Sequence, residues 1–370
     1  MIKFFQQRFN NFNTEYLRLK KQSNSFSTLR LVCFLLLIAV FYLLVSTGFY
    51  VFIIGAVILF IGFLFLINKH AKVDEQSKFH LYLSTINKNE VDALNFDLDN
   101  FESGEAFINP NNNYTFDLDF FGPYSIFQYL NRTTTKSGKK KLAHLLSNPL
   151  TNEKLIVERQ AALQELSEKI DFRQNFNAYG MFFEEADNEE KLLSQWLQTK
   201  PYFLGVTWIN VVRFLLPLLF FATSFYSFVD GRFGGLAVLL FFVNLGVVSL
   251  KVANSNEVQT ILGSKFNLLK KYIKLIQVID GEAFNNPYLN SIKNICKAGD
   301  EEIKSLSKIV SCIDQRLNLI VAIFFNAFFL YDFHVLIAAE KWKEKNKNEI
   351  NKWFSALHDI DALNSLANYN

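Results

Sequence analysis

DLDFFGPYSIFQYLNRTTTKSGKKKLAHLLSNPLTNEKLIVERQAALQEL, residues 117–166, is the stretch on which the reading of this chain turns. Its apolar residues take helical spacing from Tyr124 onward, yet spacing alone does not explain the order of its polar ones. A short apolar run leads to three threonines, a glycine and three consecutive lysines. Pro149 then stops the basic helix, and Thr151 is placed to cap the next. On that next helix Leu155, Ile156, Leu163, Leu166 and Ile170 mark one face.

Working outward, two further helical stripes follow. The first, Phe266, Leu269, Tyr272, Ile273, Ile276 and Ile279, ends at Gly281, a good C-cap residue. The second runs Ile303, Leu306, Val310, Ile313, Leu317 and Ile320. Residues 317–330, LNLIVAIFFNAFFL, look like a fifth span but are short for one, and fit a buried core helix better than a membrane-embedded segment. A long amphipathic helix closes the chain, and residues 95–115, rich in Asn and Asp, read as a linker.

Half of the 370 residues are hydrophobic and 41 are Phe, more than a water-soluble core requires. Residues 29–46 and 49–67 contain almost no charge and approach the roughly 20 residues a helix needs to cross hydrocarbon. Residues 203–229 and 233–250 form a second such pair, joined at Asp230, Gly231 and Arg232. A cleaved signal is disfavoured, since the first run starts near residue 30 and continues into another. Lys3, Arg8, Arg18, Lys20, Lys21 and Arg30 face only Glu15, and Lys69 and Lys72 follow the second run. The positive-inside rule therefore expects an integral protein of an inner or plasma membrane, with its N-terminus and core domains cytoplasmic and the bilayer as a partner. Cys33, Cys296 and Cys312 form neither a zinc set nor a disulfide framework.

Thr133, Thr135 and Gly138, then Pro149 and Leu150, then Glu158, Arg159 and Gln160, stand in the order Thr-x-Thr-x-x-Gly, Pro-Leu, Glu-Arg-Gln. In that order the segment resembles the opening of the core in the DNA mismatch-repair MutS family. Three later segments, FNNPYLNSIKN, LYDFHVLIAAEKW and LHDIDALNSLANY, resemble the helical core and lever that close it. The resemblance implies an all-α helical bundle built like the MutS core and lever, and the four apolar runs add to it a membrane anchor of two transmembrane helical hairpins. It also implies a homodimer and a role in binding mismatched or damaged double-stranded DNA for DNA mismatch repair. The expected order is a basic N-terminus (1–28), hairpin 1 (29–67), linker (68–115), first core part (116–202), hairpin 2 (203–250) and second core part (251–370).

In the family such a core leads to an ATPase domain that binds ATP and Mg with a Gly-x-x-x-x-Gly-Lys-Ser/Thr loop. The Gly138–Lys139 pair lacks the earlier glycine, so no cofactor and no enzymatic activity are expected of residues 1–370 themselves. The family's mismatch-sensing Phe-x-Glu wedge lies in an N-terminal domain, whose place is taken here by a hairpin. Phe183-Glu184-Glu185 spells the triplet after the core has begun, which is the place for a chance match.

Arg132, Lys136, Lys139, Lys140 and Lys141, with His144 nearby, are the candidate phosphate-backbone contacts. The competing reading is a solvated first helical turn, although cations there oppose the helix dipole and need another reason to be present. Lys141 departs from an apolar position of many family members, which points to a more exposed helix. The net charge of +3 does not by itself argue for nucleic acid. The histidines 70, 80, 144, 334 and 358 are scattered, and only His358 has close carboxylates, Asp359 and Asp361. No metal or catalytic set is assigned from them. Asp332 and His334 read as a polar point in a helical core, with Arg316 or a lysine as partner.

Two function classes follow: a membrane-tethered MutS-like DNA-binding protein, or a structural membrane adaptor that uses its helical core for dimerisation or partner binding. A transporter ranks third, because Arg213 and Asn244 are the few polar residues in the second pair of runs.

Overall fold

The computed structural model describes residues 1–48, 50–186, 188–263 and 265–369. Among them the fold is all-helical, 81% helix with no strand. The first helices are α1 (Ile2–Thr47), α2 (Val51–Leu94), α3 (Asn113–Asp117), α4 (Ile126–Leu130), α5 (Lys136–Ser147) and α6 (Glu153–Glu168). Next come α7 (Ile170–Gly180), α8 (Glu189–Gln198), α9 (Thr207–Asp230), α10 (Gly234–Ser249) and α11 (Val252–Leu262). The last are α12 (Phe266–Gly281), α13 (Pro287–Asp314), α14 (Leu319–Phe329), α15 (Tyr331–Asn346) and α16 (Ile350–Leu366). They form two compact units, Met1–Arg132 with Lys169–Phe182, and Thr133–Glu168 with Phe183–Asn370.

In the first unit α1 and α2 run antiparallel, with Phe12 near His80 and Phe34 near Phe63. Gly48 ends α1 at φ 70°, a left-handed turn that glycine adopts without a Cβ clash. Residue 49, where the second apolar run is expected to begin, lies outside the described residues. Both helices are long and apolar enough to cross a membrane, and α1 continues unbroken past residue 28, the expected end of a separate basic segment. Their polar halves pair with α7. Asn87 and Gln174 exchange two amide hydrogen bonds at 3.0 Å, and Arg8 donates to Gln174 at 2.8 Å while pairing with Asp171 at 2.6 Å.

Residues 95–115 are folded rather than a loose linker. Phe107, Phe121 and Phe127 cluster with tilted rings whose centroids lie 5.3–5.8 Å apart, and Gln128 donates its amide to the carbonyls of Leu98 and Phe101. An aromatic cluster and one buried amide hold this loop, so no helical periodicity betrays it.

In the second unit α13 packs against α12, α15 and α16, and α5 and α6 pack on α16. Leu269, Tyr272, Ile276 and Ile279 are buried as the stripe on α12 predicts, and so are Ile303, Leu306, Val310 and Ile313 on α13. Each fully buried aliphatic side chain of this kind contributes roughly 1.5–3 kcal/mol. Three details differ from expectation. Asn152, not Thr151, caps α6 by accepting from Leu155 N–H at 3.2 Å, and the stripe expected to run to Ile170 breaks at Lys169. Gly281 is the last residue of α12 rather than its cap, which is Glu282. Leu317 and Ile320 leave the α13 stripe, because the chain bends by 109° before α14.

Of the second apolar pair, α9 alone is long and apolar enough to cross a membrane, and α10 reaches that length only together with α11, across a 62° bend. The buried core helix expected at 317–330 is corrected: within α14 only Asn326 and Ala327 are buried, and Leu319 and Ile320 are 71% and 67% exposed. The helix is as short as expected, but its apolar face is turned outward.

Candidate functional site

The start of α5 is where the sequence motif becomes geometry. Thr135 is the N-cap, in extended conformation, and its hydroxyl accepts from Gly138 N–H at 2.9 Å, the usual reach from cap to third helical residue. The same hydroxyl donates to Asp361 Oδ2 at 2.7 Å, and the N–H groups of Thr134 and Thr135 donate to that carboxylate at 3.0 and 2.9 Å. Asp361 is fully buried. Burial pushes its carboxyl above the ordinary aspartate value, against the pull of the Thr135 and Thr134 donors and the charge of Lys271. A Cβ on residue 138 would stand 2.1 Å from Asp361 Oδ2, so glycine is required for the carboxylate to approach. Thr-x-Thr-x-x-Gly thus spells an N-cap plus a docking place for a buried acid.

Further carboxylates surround this helix end. Lys136 N–H donates to Glu185 Oε2 at 2.7 Å, and Lys271, buried on α12, pairs with Glu185 at 3.3 Å and donates to the Thr134 carbonyl. Glu190 accepts from Ser137 and Tyr272, and His358 Nε2 lies 2.8 Å from it. Burial raises the Glu190 carboxyl, but the His358, Ser137 and Tyr272 contacts outweigh it and hold the group below its ordinary value. Tyr272 is driven well up by burial and by Glu190. The acids at this end answer the helix dipole, which supplies the reason the lysines there needed.

The same device recurs twice. Glu165 on α6 accepts from the N–H groups of Asn285 and Asn286 at 2.8 and 2.7 Å, and Asn286 caps α13 by accepting from Tyr288 and Leu289. Glu340 on α15, only 1% exposed, accepts from Phe203 N–H at 2.9 Å and from Tyr202 and Leu204. Lys343, one turn on, donates to the Thr199 carbonyl at 2.9 Å. Segments far apart in sequence are therefore joined by carboxylates at turns, buried at Asp361 and Glu340 and half-buried at Glu165.

Asp361 lies in the closing segment and Thr135 in the opening one, 226 residues earlier. A family model for MutS domain III matches residues 111–367 and so takes in both ends of this latch. The chain belongs to the MutS domain III family. No curated protein and no solved structure matches it.

Within domain III the predicted basic residues separate. Arg132 falls in the first compact unit, where its guanidinium pairs with Glu90 at 2.6 Å and lies 3.6 Å from the Phe101 ring centroid. Lys141 pairs with Asp359 at 2.7 Å, and Lys139 is half-buried. Lys136 and the exposed Lys140 line a cleft of about 480 Å³ together with Lys191 and with Glu185, Glu189 and Glu190, so the cleft carries both signs. Burial also pushes the Glu189 carboxyl up. Pro149 and Leu150 occupy the loop between α5 and α6, and Glu158, Arg159 and Gln160 ride on α6, with the first two acting electrostatically on Tyr288. Asp332 does meet Arg316, at 2.8 Å and buried. Among the described residues no cluster of His, Cys, Asp and Glu is placed to hold a metal.

Sequence reasoning missed Glu165, Glu190, Lys271 and Glu340, and named Asp361 only as a neighbour of His358. One signal was available. Lys271 and Asp361 each sit at a core phase of an apolar helix, between Leu268 and Tyr272 and between Leu357 and Leu363, where a charge must have a partner.

Proposed function

We propose that this chain is a membrane-tethered domain III core that takes part in binding mismatched or damaged duplex DNA, with ATP-driven switching supplied from outside residues 1–370. Membership of the family supports the DNA role, and three helices of spanning length and composition support the tether. The observation that carries the reading is the latch, since Asp361 joins the two ends of the matched region into one folded unit. On this reading the N-terminus and core are cytoplasmic, the protein is a homodimer, and ATP and Mg bind elsewhere than in this chain, which is not itself an enzyme.

Lys136, Lys139 and Lys140 are the residues proposed to meet phosphate. Duplex binding by the full chain in nanodiscs should fall with salt, and each Lys→Gln variant that gives up a phosphate partner should flatten the log–log slope by about 0.9. No binding to matched or mismatched duplex at low salt, with or without an added family ATPase, would sink the DNA role.

A second reading is favoured by the pairing of the basic residues. Arg132 is engaged by Glu90, Lys141 by Asp359, and three glutamates line the cleft. These observations support a membrane adaptor whose core dimerises or holds a protein partner. Crosslinking in membranes that captures a second copy or membrane proteins, with no salt-sensitive duplex binding, selects it.

A further inference from the structure

Helix α14 is short, uncharged and largely exposed. Its eleven residues span about 16 Å, roughly half of a bilayer's ~30 Å hydrocarbon thickness. Residues 317–331 carry no charge, yet Leu317, Leu319, Ile320 and Phe324 are 74%, 71%, 67% and 48% exposed. In water such a face would be a large unpartnered apolar patch.

Both ends of α14 are finished as an apolar surrounding demands. Free N–H groups at its start are met by the Asn318 side chain, which accepts from Ile320 and Val321 at 3.1 and 3.3 Å. At its end the Ala327 carbonyl accepts from Asn244, a fully buried amide of α10. Asn326 accepts from Asp332 N–H at 2.9 Å and donates to its carboxylate at 3.1 Å. In hydrocarbon an unmet backbone group costs several kcal/mol, so side-chain capping at both ends matters there more than in water.

The residues flanking the excursion are fastened together. Arg316, just before it, and Asp332, just after it, form the buried 2.8 Å ion pair, and Tyr331 donates to the Cys312 carbonyl at 3.1 Å. A segment that leaves and returns beside one ion pair does not cross a bilayer. It also lies against the middle of the second hairpin. Phe328 stacks on Phe220 of α9 at 5.5 Å and meets Phe241 of α10 at 5.9 Å, and Phe329 meets Phe221 at 5.4 Å. The exposed face of α14 therefore continues the exposed apolar faces of α9 and α10, such as Leu218 and Val238.

We propose that α14 is a re-entrant half-helix whose exposed face is buried among the lipid acyl chains of the leaflet on the side of the core. This rests on the membrane-tethered reading and adds to it a monotopic element that composition did not assign. The partner is acyl chain rather than headgroup, because the exposed Leu317, Leu319, Ile320 and Phe324 are apolar and the segment carries no charge.

The test uses the full chain in phosphatidylcholine–phosphatidylglycerol nanodiscs, with nitroxide on single cysteines at Ile320→Cys and Phe324→Cys. Val238→Cys on α10 serves as the span reference and Glu301→Cys, whose side chain is 86% exposed, as the aqueous one. The natural chain, labelled in parallel, gives the signal from its own cysteines. Positions 320 and 324 should be oxygen-rich and shielded from a soluble nickel chelate, matching 238 and unlike 301. Nickel access at 320 and 324 while 238 stays shielded overturns the inference and leaves the tether standing. Nickel access at 238 as well overturns both. Shielding of 320 and 324 from both reagents means protein covers the face, and also overturns it. Benzoylphenylalanine at Phe324, with the natural cysteines kept, gives an independent readout: a phospholipid mass adduct supports the inference, and a crosslink to a second copy overturns it.

Discussion

The two apolar hairpins of this chain solve one problem in opposite ways. In the first, α1 and α2 are 46 and 44 residues long and carry their own polar extensions, which α7 secures through Asn87, Gln174 and Arg8. The second has shorter helices of 24 and 16 residues, and other elements of its unit hold it. Glu340 clasps the turn before α9, His334 lies 3.2 Å from the Arg213 carbonyl, and Asn244 reaches α14. The first hairpin is a rod with a handle, whereas the second is part of the core's own wiring. Apolar length alone does not separate these cases; the positions of buried polar groups do.

The contrast breaks most visibly at Glu340. Glu340→Ala removes the acceptor of three N–H donors, that of Phe203 buried and those of Tyr202 and Leu204 half-buried, and should cost about 3–5 kcal/mol. Amide exchange by mass spectrometry should rise around residues 199–206 and through α9 while α1 and α2 stay protected. Arg8→Ala, whose partner Asp171 is largely exposed, should cost at most about 1 kcal/mol and loosen only the first unit. Equal effects of the two variants, or spread of the Glu340→Ala effect into α1, would erase the distinction.

Gly138→Ala comes next. The added Cβ displaces Asp361 from its three donors, and roughly 2–4 kcal/mol should be lost from the second unit. A melting temperature unchanged in detergent would contradict the latch. The Glu190 carboxyl, held low in the folded state, makes a smaller contribution that is fully present above its ordinary value of 4.5. That contribution disappears as pH falls through the lowered folded value. Thermal melts should therefore steepen their decline below pH 4.5, and Glu190→Gln should flatten that limb; a wild-type slope in the variant would argue against the Glu190–His358–Tyr272 contact. An effect as small as that of Arg8→Ala is expected from Asn244→Leu, about 1 kcal/mol for one hydrogen bond, with increased exchange confined to the end of α14.

Much of this fold is legible because helices declare themselves through period. The stripes on α12 and α13, the position of both hairpins and the pairing of Asp332 with Arg316 follow from apolar spacing and from the need of a buried charge for a partner. Less legible is everything decided by contacts between distant segments. Gly138 is readable as part of a motif, but its reason is Asp361, more than two hundred residues on. The loop at 95–115 looks like a linker because an aromatic cluster has no period. Residues 317–330 show their length and apolarity, but which way the face turns depends on a 109° bend that no residue type at 314–318 announces. The basic run at Lys139–Lys141 reads as a charge patch until the acids that meet it arrive from α8 and α16.

The distance between Thr135 and Asp361 also orders events at the ribosome. At roughly 5–20 residues per second the carboxylate emerges about 11–45 s after the turn it must fill. During that interval the Thr134 and Thr135 donors lack the carboxylate they meet in the finished fold, and the second hairpin is synthesised before that acceptor exists. Biogenesis is thereby checked from its far end: a nascent chain cut or stalled before residue 361 carries an open helix start, a local mark by which an unfinished copy differs from a finished one.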